Sequence, residues 1–142
     1  MLRSLKLSVP EIRAELGLSQ SELAGLAGIS IRAIQSYEQE WRRPSALVER
    51  ILLLLLMAHR NGAGLPRSRC WERKQCPPGV RRTCIAHVTR QGHLCWLLTG
   101  TMCEGRRQAS WNDKVRACLD CGFMQELLRP AMAGTETRAA RR

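Results

Sequence analysis

The stretch Leu18–Glu38, LSQSELAGLAGISIRAIQSYE, sets the local structure of the N-terminal half of this 142-residue chain. Within it, Ser19–Glu22 has the Ser-x-x-Glu spacing of a capping box, which begins a helix. Gly28 supplies a tight turn, and Ser30 caps a further helix that we expect to run to about Gln39. The stretch therefore predicts two short helices joined by one tight turn. The apolar residues expected on their buried side are Leu23, Ala27, Ile29, Ile34 and Tyr37.

Helices are also predicted on either side of this stretch. Pro10 suits the first position of a helix, and Gly17 suits its C-terminal end. The dipeptide Pro44-Ser45 is typical of the start of a longer helix, which we expect to continue to about Arg60. The sequence thus predicts a mainly α fold, with an N-terminal bundle of four to five helices over residues 1–61.

The last of these helices carries an uninterrupted apolar block, Ile51–Ala58. A helix on the surface of a bundle shows an apolar stripe, whereas a block indicates burial on nearly all sides. One side of the block can cover the bundle. The remainder is expected to pack either on a second copy of the chain, as a homodimer, or on the C-terminal half of the same chain.

The N-terminal half resembles the Cro/repressor-type helix-turn-helix domain over residues 9–60. The resemblance lies in the Leu18-Ser19-Gln20 opening, the Leu23-Ala24 pair, the Gly28-Ile29-Ser30 turn and the Tyr37-Glu38 pair. It implies that the helix after Ser30 enters the major groove of double-stranded DNA.

The outward side of that helix carries residue types suited to base recognition. Arginine can form two hydrogen bonds with guanine, glutamine can do so with adenine, and an aliphatic side chain can contact the methyl group of thymine. Arginines that follow the helix would neutralise phosphates without reading sequence. Glu38 and Glu40 place negative charge beside this surface. The predicted DNA-binding residues are Gln20, Ser30, Ile31, Arg32, Gln35, Ser36, Arg42 and Arg43.

Charge and composition divide the chain into parts. The net charge is +11, and residues 1–64 contribute only +2, from eight Lys and Arg against six Asp and Glu. Residues 65–142 contribute +9, from fifteen against six. We expect a linker at 62–69, a small cysteine-rich and loop-rich module at 70–128, and a basic disordered tail at 129–142.

All seven cysteines lie in the predicted module, with the spacing C-x5-C-x7-C-x10-C-x7-C-x14-C-x2-C. Two of them begin Cys-Trp pairs, Cys70-Trp71 and Cys95-Trp96, and the series ends in the close pair Cys118-x-x-Cys121. These features resemble the two-CW domain over about residues 70–124. Several cationic residues stand near the cysteines in sequence and favour their thiolate form. They are Arg69, Arg73, Lys74, Arg81, Arg82, Arg106, Arg107 and Arg116.

Three interpretations of the cysteines remain open. They could hold zinc or an iron–sulfur cluster, act as metal-free redox thiols, or be buried and inert. Metal binding is favoured because a core of this size, with few large side chains, is only marginally stable unless a metal or another cross-link stabilises it. His87 and His93 fit an ordinary structural role better than a ligand role. The candidate ligands are Cys70, Cys76, Cys84, Cys95, Cys103, Cys118 and Cys121.

The sequence favours a cytoplasmic, non-enzymatic transcription regulator with a metal- or redox-sensing module. It shows no secretory leader and no apolar run long enough to span a bilayer. An adaptor that binds nucleic acid without sequence choice is the first alternative. A thiol redox protein using Cys118 and Cys121 is the second, although no βαβ pattern surrounds that pair.

Overall fold

A computed structural model describes residues 2–62 and 69–129. Within these ranges the chain forms nine α-helices and no strand, apart from one isolated antiparallel bridge between Thr101 and Gln108. The predicted mainly α fold is confirmed. Most of the predicted linker, and the predicted tail beyond Arg129, lie outside the described residues.

Four helices build the N-terminal half. They are α1 (Val9–Leu16), α2 (Gln20–Ala27), α3 (Ile31–Glu38) and α4 (Ala46–Arg60). Their boundaries agree with the predicted caps to within one residue. The first helix begins at Val9 rather than Pro10, because Ser8 forms a capping box with Glu11. The third ends at Glu38, and Gln39 is its C-cap.

The turns of the bundle follow from glycines in the left-handed conformation. Gly17 ends α1 with φ 68°, and Gly28 ends α2 with φ 67°. Such a conformation is open to glycine at little steric cost. Behind these turns, α2 packs on α3, and α1 packs on α3 and α4. The prediction of a buried Ile29 was only half right: it is partly buried and packs at the edge of the core, because it lies in the turn.

The cysteine-bearing half consists of short helical segments and loops. Three four-residue helices, α5 (Cys70–Arg73), α6 (Pro78–Arg81) and α7 (Ile85–Val88), precede 3₁₀ turns at Gly92–Leu97 and Cys103–Gly105. Two helices, α8 (Trp111–Leu119) and α9 (Gly122–Leu127), complete it. The loop-rich character predicted for this half is therefore observed.

The apolar block of α4 packs inside its own chain. Leu52, Leu53, Leu56 and Met57 have no exposed surface. They belong to one continuous core that also contains Trp96 and other buried residues of the cysteine-bearing half. Of the two occupants expected for the second face of α4, the structure shows the C-terminal half. The homodimer stays a prediction.

Polar contacts join the two halves at both ends of α4. Near its beginning, the Trp111 Nε1–H donates to Glu49 Oε2 at 3.1 Å. At its end, the Arg60 guanidinium donates to the carbonyl oxygen of Leu128, and Asn61 Nδ2 donates to that of Leu127 at 3.3 Å. Within the described ranges, no helix has the length and apolar character required to cross a membrane.

Candidate nucleic-acid interface and cysteine cavity

The outer face of α3 is free of intramolecular packing. Ile31 is 42% exposed, and Arg32 and Gln35 are exposed as well. Ile34 and Tyr37 are buried on the opposite side, so the helix is fixed in rotation with its polar edge outward. Ser36 is partly buried at the margin of this face. The hydroxyl of Ser30 accepts a hydrogen bond from the Ala33 N–H at 3.1 Å, so it serves as the N-cap.

The negative charge of Glu38 at the end of α3 is compensated internally. Arg13 Nε donates to Glu38 Oε1 at 2.6 Å, and Gln20 Nε2 donates to Glu38 Oε2 at 2.7 Å. The hydrogen bond from Arg13 lowers the pKa of Glu38, which burial opposes and the bond from Gln20 reinforces. The same ion pair raises the pKa of Arg13. Because the Gln20 amide has this internal partner, a phosphate contact by Gln20 stays a prediction.

Basic side chains continue beyond α3. Arg42 and Arg43 are exposed, and the Arg42 guanidinium lies 5.8 Å from the centre of the Tyr37 ring. Both arginines line a groove that is also lined by Arg116 of α8. The groove therefore brings Arg116 of the cysteine-bearing half close to the two arginines predicted for phosphate contact, and Glu38, Glu40 and Glu49 line it as well. Trp41, between Glu40 and Arg42, is 77% exposed.

The seven cysteines converge on a single cavity of about 370 Å³. Cys70, Cys95, Cys118 and Cys121 are buried, and the other three are partly buried. Four large apolar side chains complete much of the wall: Trp71, Trp96, Phe123 and Met124. All seven predicted ligands are thus brought to one place, although four come from four different helical segments and three from the loops between helices.

The two histidines differ in their relation to this cavity. His87 lines it, and its ring meets the Trp71 ring edge-on with centroids 4.8 Å apart. His93 offers its backbone carbonyl to the Trp96 Nε1–H at 3.1 Å and is absent from the cavity wall. The structural role expected for both histidines stays a prediction.

The sulfurs surround a space rather than meeting at a point. Among residues 2–62 and 69–129, no three His, Cys, Asp or Glu side chains are grouped closely enough to hold one metal ion. The predicted metal site is therefore not shown, and its ligand set stays a prediction. Within the described part of the chain all seven cysteines carry free thiols.

The thiols differ in how readily they ionise. A hydrogen bond from Cys95 lowers the pKa of Cys70 to about 7, against the effect of burial and with help from Lys114. The same bond, together with burial, raises the pKa of Cys95. Burial raises the pKa of Cys118 to about 11. Of these three thiols, Cys70 is therefore the one that ionises most readily near neutral pH.

A lysine is enclosed in the wall of the cavity. Lys114 is fully buried, and its Nζ donates to Thr101 Oγ1 at 2.8 Å and lies 3.8 Å from Cys103 Sγ. Among the described residues, it makes no salt bridge with a carboxylate. A second lysine, Lys74, lies on the rim of the cavity. Burial lowers the pKa of its ammonium group, but the thiols of Cys121 and Cys103 act in the opposite direction, and the pKa is raised.

Lys114 was not among the cationic residues predicted from the sequence to lie near the cysteines. Of the eight basic residues predicted to neighbour the cysteines, Lys74 and Arg81 line the cavity. The pattern on α8 held the missing information, since Lys114 and Cys118 are four residues apart and share one helix face. That face is the buried one.

Comparison with known proteins supports the N-terminal assignment only. Residues 11–48 match a family model described as Helix-turn-helix, a family that is in general non-enzymatic and DNA-binding. This similarity supports a DNA-binding regulator. No curated protein and no solved structure matches the chain. The resemblance of the cysteine-bearing half to the two-CW domain is not confirmed and stays a prediction.

Proposed function

We propose that this chain is a sequence-specific transcription regulator whose affinity for double-stranded DNA depends on a cofactor in the cysteine cavity. The observation that carries the proposal is the exposed polar face of α3, held outward by the burial of Ile34 and Tyr37. The match of residues 11–48 to the Helix-turn-helix family supports the same role.

The face of α3 would read bases from the major groove. Arg32 suits guanine and Gln35 suits adenine, because each side chain can make paired hydrogen bonds with that base edge. Ile31 offers an apolar contact to a thymine methyl group, with Ser36 at the margin. At the N-termini of α2 and α3, Gln20 and Ser30 would lie near phosphates.

Phosphate contacts would extend from the bundle into the cysteine-bearing half. Arg42 and Arg43 share their groove with Arg116, so these three arginines would contact neighbouring phosphates of the DNA backbone. Each neutralised phosphate adds affinity that weakens with salt and carries no sequence preference.

A homodimer belongs to the proposal, because helix-turn-helix proteins commonly read two half-sites related by a twofold axis. The second face of α4 is covered by the same chain, so another surface must serve as the interface. Sedimentation of the full chain with and without a selected DNA duplex tests this part. A strictly monomeric protein bound to a single half-site would contradict it.

The cofactor would be zinc or an iron–sulfur cluster held by the cysteines, and α9 would connect it to the bundle. Cys121 immediately precedes α9, and the carbonyl oxygens at the other end of α9 accept hydrogen bonds from Arg60 and Asn61. Arg60 also pairs with Glu15 of α1 at 2.7 Å. Movement of Cys121 on cofactor binding or loss would thus be transmitted to α4 and α1.

Selection of duplexes from a random pool tests the reading of sequence. The wild-type chain should yield a motif, and Arg32→Ala or Gln35→Ala should cost about 1–3 kcal/mol in affinity and relax one position of it. Arg43→Ala should weaken all sequences alike and reduce the salt dependence. Arg82→Ala, an exposed cation outside both surfaces, is the control. Failure to select any motif would favour the adaptor that binds nucleic acid without sequence choice.

Comparison of the cofactor-loaded and cofactor-free forms tests regulation. We expect the two forms to differ in affinity for the selected duplex, measured at one salt concentration. Equal affinities would leave DNA reading intact and contradict regulation through the cavity.

A further inference from the structure

The cysteine cavity is too large for the simplest metal site. A zinc ion held by four thiolates draws their sulfurs to about 3.8 Å from each other, since each Zn–S bond is about 2.3 Å. Such a site encloses no space beyond the ion. Here all seven cysteines, together with other residues, line a cavity of about 370 Å³. The thiols of Cys70 and Cys95 are hydrogen-bonded to each other, but within the described residues no three ligands gather around one point.

The cavity wall also contains the ammonium group of Lys114, which has no carboxylate partner among the described residues. Lys114 is fully buried, and its contacts are a hydroxyl group and a thiol. A buried cation is costly unless an opposite charge lies close to it. Glu104 contributes to the cavity wall, but its side chain is exposed to solvent. The missing negative charge would therefore come from ionised cysteines and the group that they bind.

The walls have the character that iron–sulfur clusters require. They are mainly apolar, and Trp71, Trp96 and Phe123 are among the lining side chains. The backbone N–H of Met102 donates to Cys84 Sγ at 3.4 Å. Hydrogen bonds to sulfur, burial and local charge are the properties by which a protein stabilises such a cluster and sets its reduction potential.

We propose that the cavity holds a polynuclear iron–sulfur cluster of the cubane type on four of its seven cysteines, with Lys114 as the buried counter-charge. This inference rests on the cofactor-binding part of the proposed function and is independent of DNA reading. Size distinguishes the cluster from zinc, because four irons and four sulfides separate the cysteine sulfurs farther than one ion does. The lysine balances the excess negative charge of four thiolates.

Occupation of the cavity is a ligand exchange. A preassembled cluster on a thiolate donor forms four new Fe–S bonds to cysteines of this chain and loses its bonds to the donor thiolates. Each incoming cysteine releases one proton, which the departing thiolate or water accepts. No electron is transferred, so the step needs no oxidant or reductant.

Elemental analysis of the full chain purified without oxygen tests the cluster. We expect iron and acid-labile sulfide in equal amounts, about four of each per chain, with broad visible absorption that bleaches on reduction by dithionite. Zinc bound one per chain without sulfide, or no metal after incubation with a cluster donor, would overturn the inference. Selection of a DNA motif by the same preparation shows whether the proposed DNA reading stands or fails separately.

Substitution of Lys114 tests its role in charge balance. Lys114→Met keeps the aliphatic stem and should shift the reduction potential of the cluster to more negative values, because the reduced form carries one more negative charge. Lys114→Arg should restore the potential towards that of wild type, and Arg82→Gln should leave it unchanged. An unchanged potential in Lys114→Met would overturn the counter-charge. If that variant loses the cluster, while its metal-free form stays folded by circular dichroism and Lys114→Arg retains the cluster, the counter-charge is supported.

Discussion

At the level of single residues, Gly92 has the least room for a side chain among the glycines that the structure describes. A Cβ atom placed there would lie 2.6 Å from Trp71 Cζ3 and 3.1 Å from the backbone nitrogen of Cys70. Both groups belong to the wall of the cysteine cavity. A methyl group at this position would therefore displace the tryptophan from that wall.

We expect Gly92→Ala to lower the free energy of unfolding by about 1–3 kcal/mol, the usual cost of overpacking a core. Gly79→Ala is the matched control, since a Cβ atom there would meet no other atom. Urea denaturation followed by tryptophan fluorescence measures both. Equal stability of the two variants would contradict the close packing of Trp71.

Glu38 gives the bundle a dependence on pH. The hydrogen bond from Arg13, against burial, holds the pKa of Glu38 below its ordinary value of 4.5. A carboxylate with a lowered pKa in the folded state contributes stability above its ordinary value and loses it as the pH falls through the lowered one. Stability should therefore decrease in acid below pH 4.5, and Glu38→Gln should make this decrease less steep.

Thermal unfolding at a series of pH values on both sides of 4.5 measures this effect. Glu40→Gln, at an exposed position, should leave the slope as in wild type. Part of the slope should survive in Glu38→Gln, because Arg60 lowers the pKa of Glu15 in the same way. A slope that is identical in all three proteins would contradict the assignment to Glu38.

At the level of elements, α2 has two glycines with different roles, one at its C-cap and one inside the helix. Gly28 ends the helix with φ 67°, a conformation that costs an L side chain free energy. Gly25 is exposed inside the helix, where a Cβ atom would meet no other atom. Alanine should therefore act in opposite directions at two positions only three residues apart.

We expect Gly28→Ala to destabilise the chain by about 1–2 kcal/mol, the usual cost of the left-handed conformation. Gly25→Ala should stabilise it by about 0.5–1 kcal/mol, because alanine is the better helix former. Denaturant titration of the two variants beside wild type gives both signs. Stabilisation by Gly28→Ala would contradict the turn geometry between α2 and α3.

At the level of the whole molecule, Arg60 joins three elements. Its guanidinium pairs with Glu15 of α1 and donates to the Leu128 carbonyl at the end of α9, while its backbone ends α4. Only 11% of its side-chain surface is exposed. The two halves of the chain are therefore tied together by a largely buried charged group.

Arg60→Ala should cost about 1.5–3 kcal/mol, the range for hydrogen bonds to charged groups. It should also separate unfolding of the cysteine-bearing half from that of the bundle. Tryptophan fluorescence follows mainly the former, because Trp71, Trp96 and Trp111 lie there and Trp41 of the bundle is already 77% exposed, and far-ultraviolet circular dichroism follows both. Arg3→Ala, which removes an exposed cation 3.9 Å from Glu40, is the control. If the fluorescence and circular dichroism transitions coincide in Arg60→Ala, Arg60 does not couple the unfolding of the two halves.

The start and end of each helix in the bundle could be predicted from the sequence. Ser19 and Ser30 cap their helices through contacts with residues three positions ahead, and Gly28 acts within one turn. Interactions over three or four residues leave a spacing pattern in the chain. The outward face of α3 follows from the same periodicity, because burial of Ile34 and Tyr37 leaves Arg32 and Gln35 on the other side.

The long-range partners became visible only in the folded chain. The sequence pattern could not decide whether a second copy of the chain or its own C-terminal half packs on the second face of α4. Nor could it pair Glu38 with Arg13 or bring seven cysteines around one cavity. These contacts join residues far apart in sequence, and their free energy depends on how complete helices pack. No local pattern of residue types carries that information.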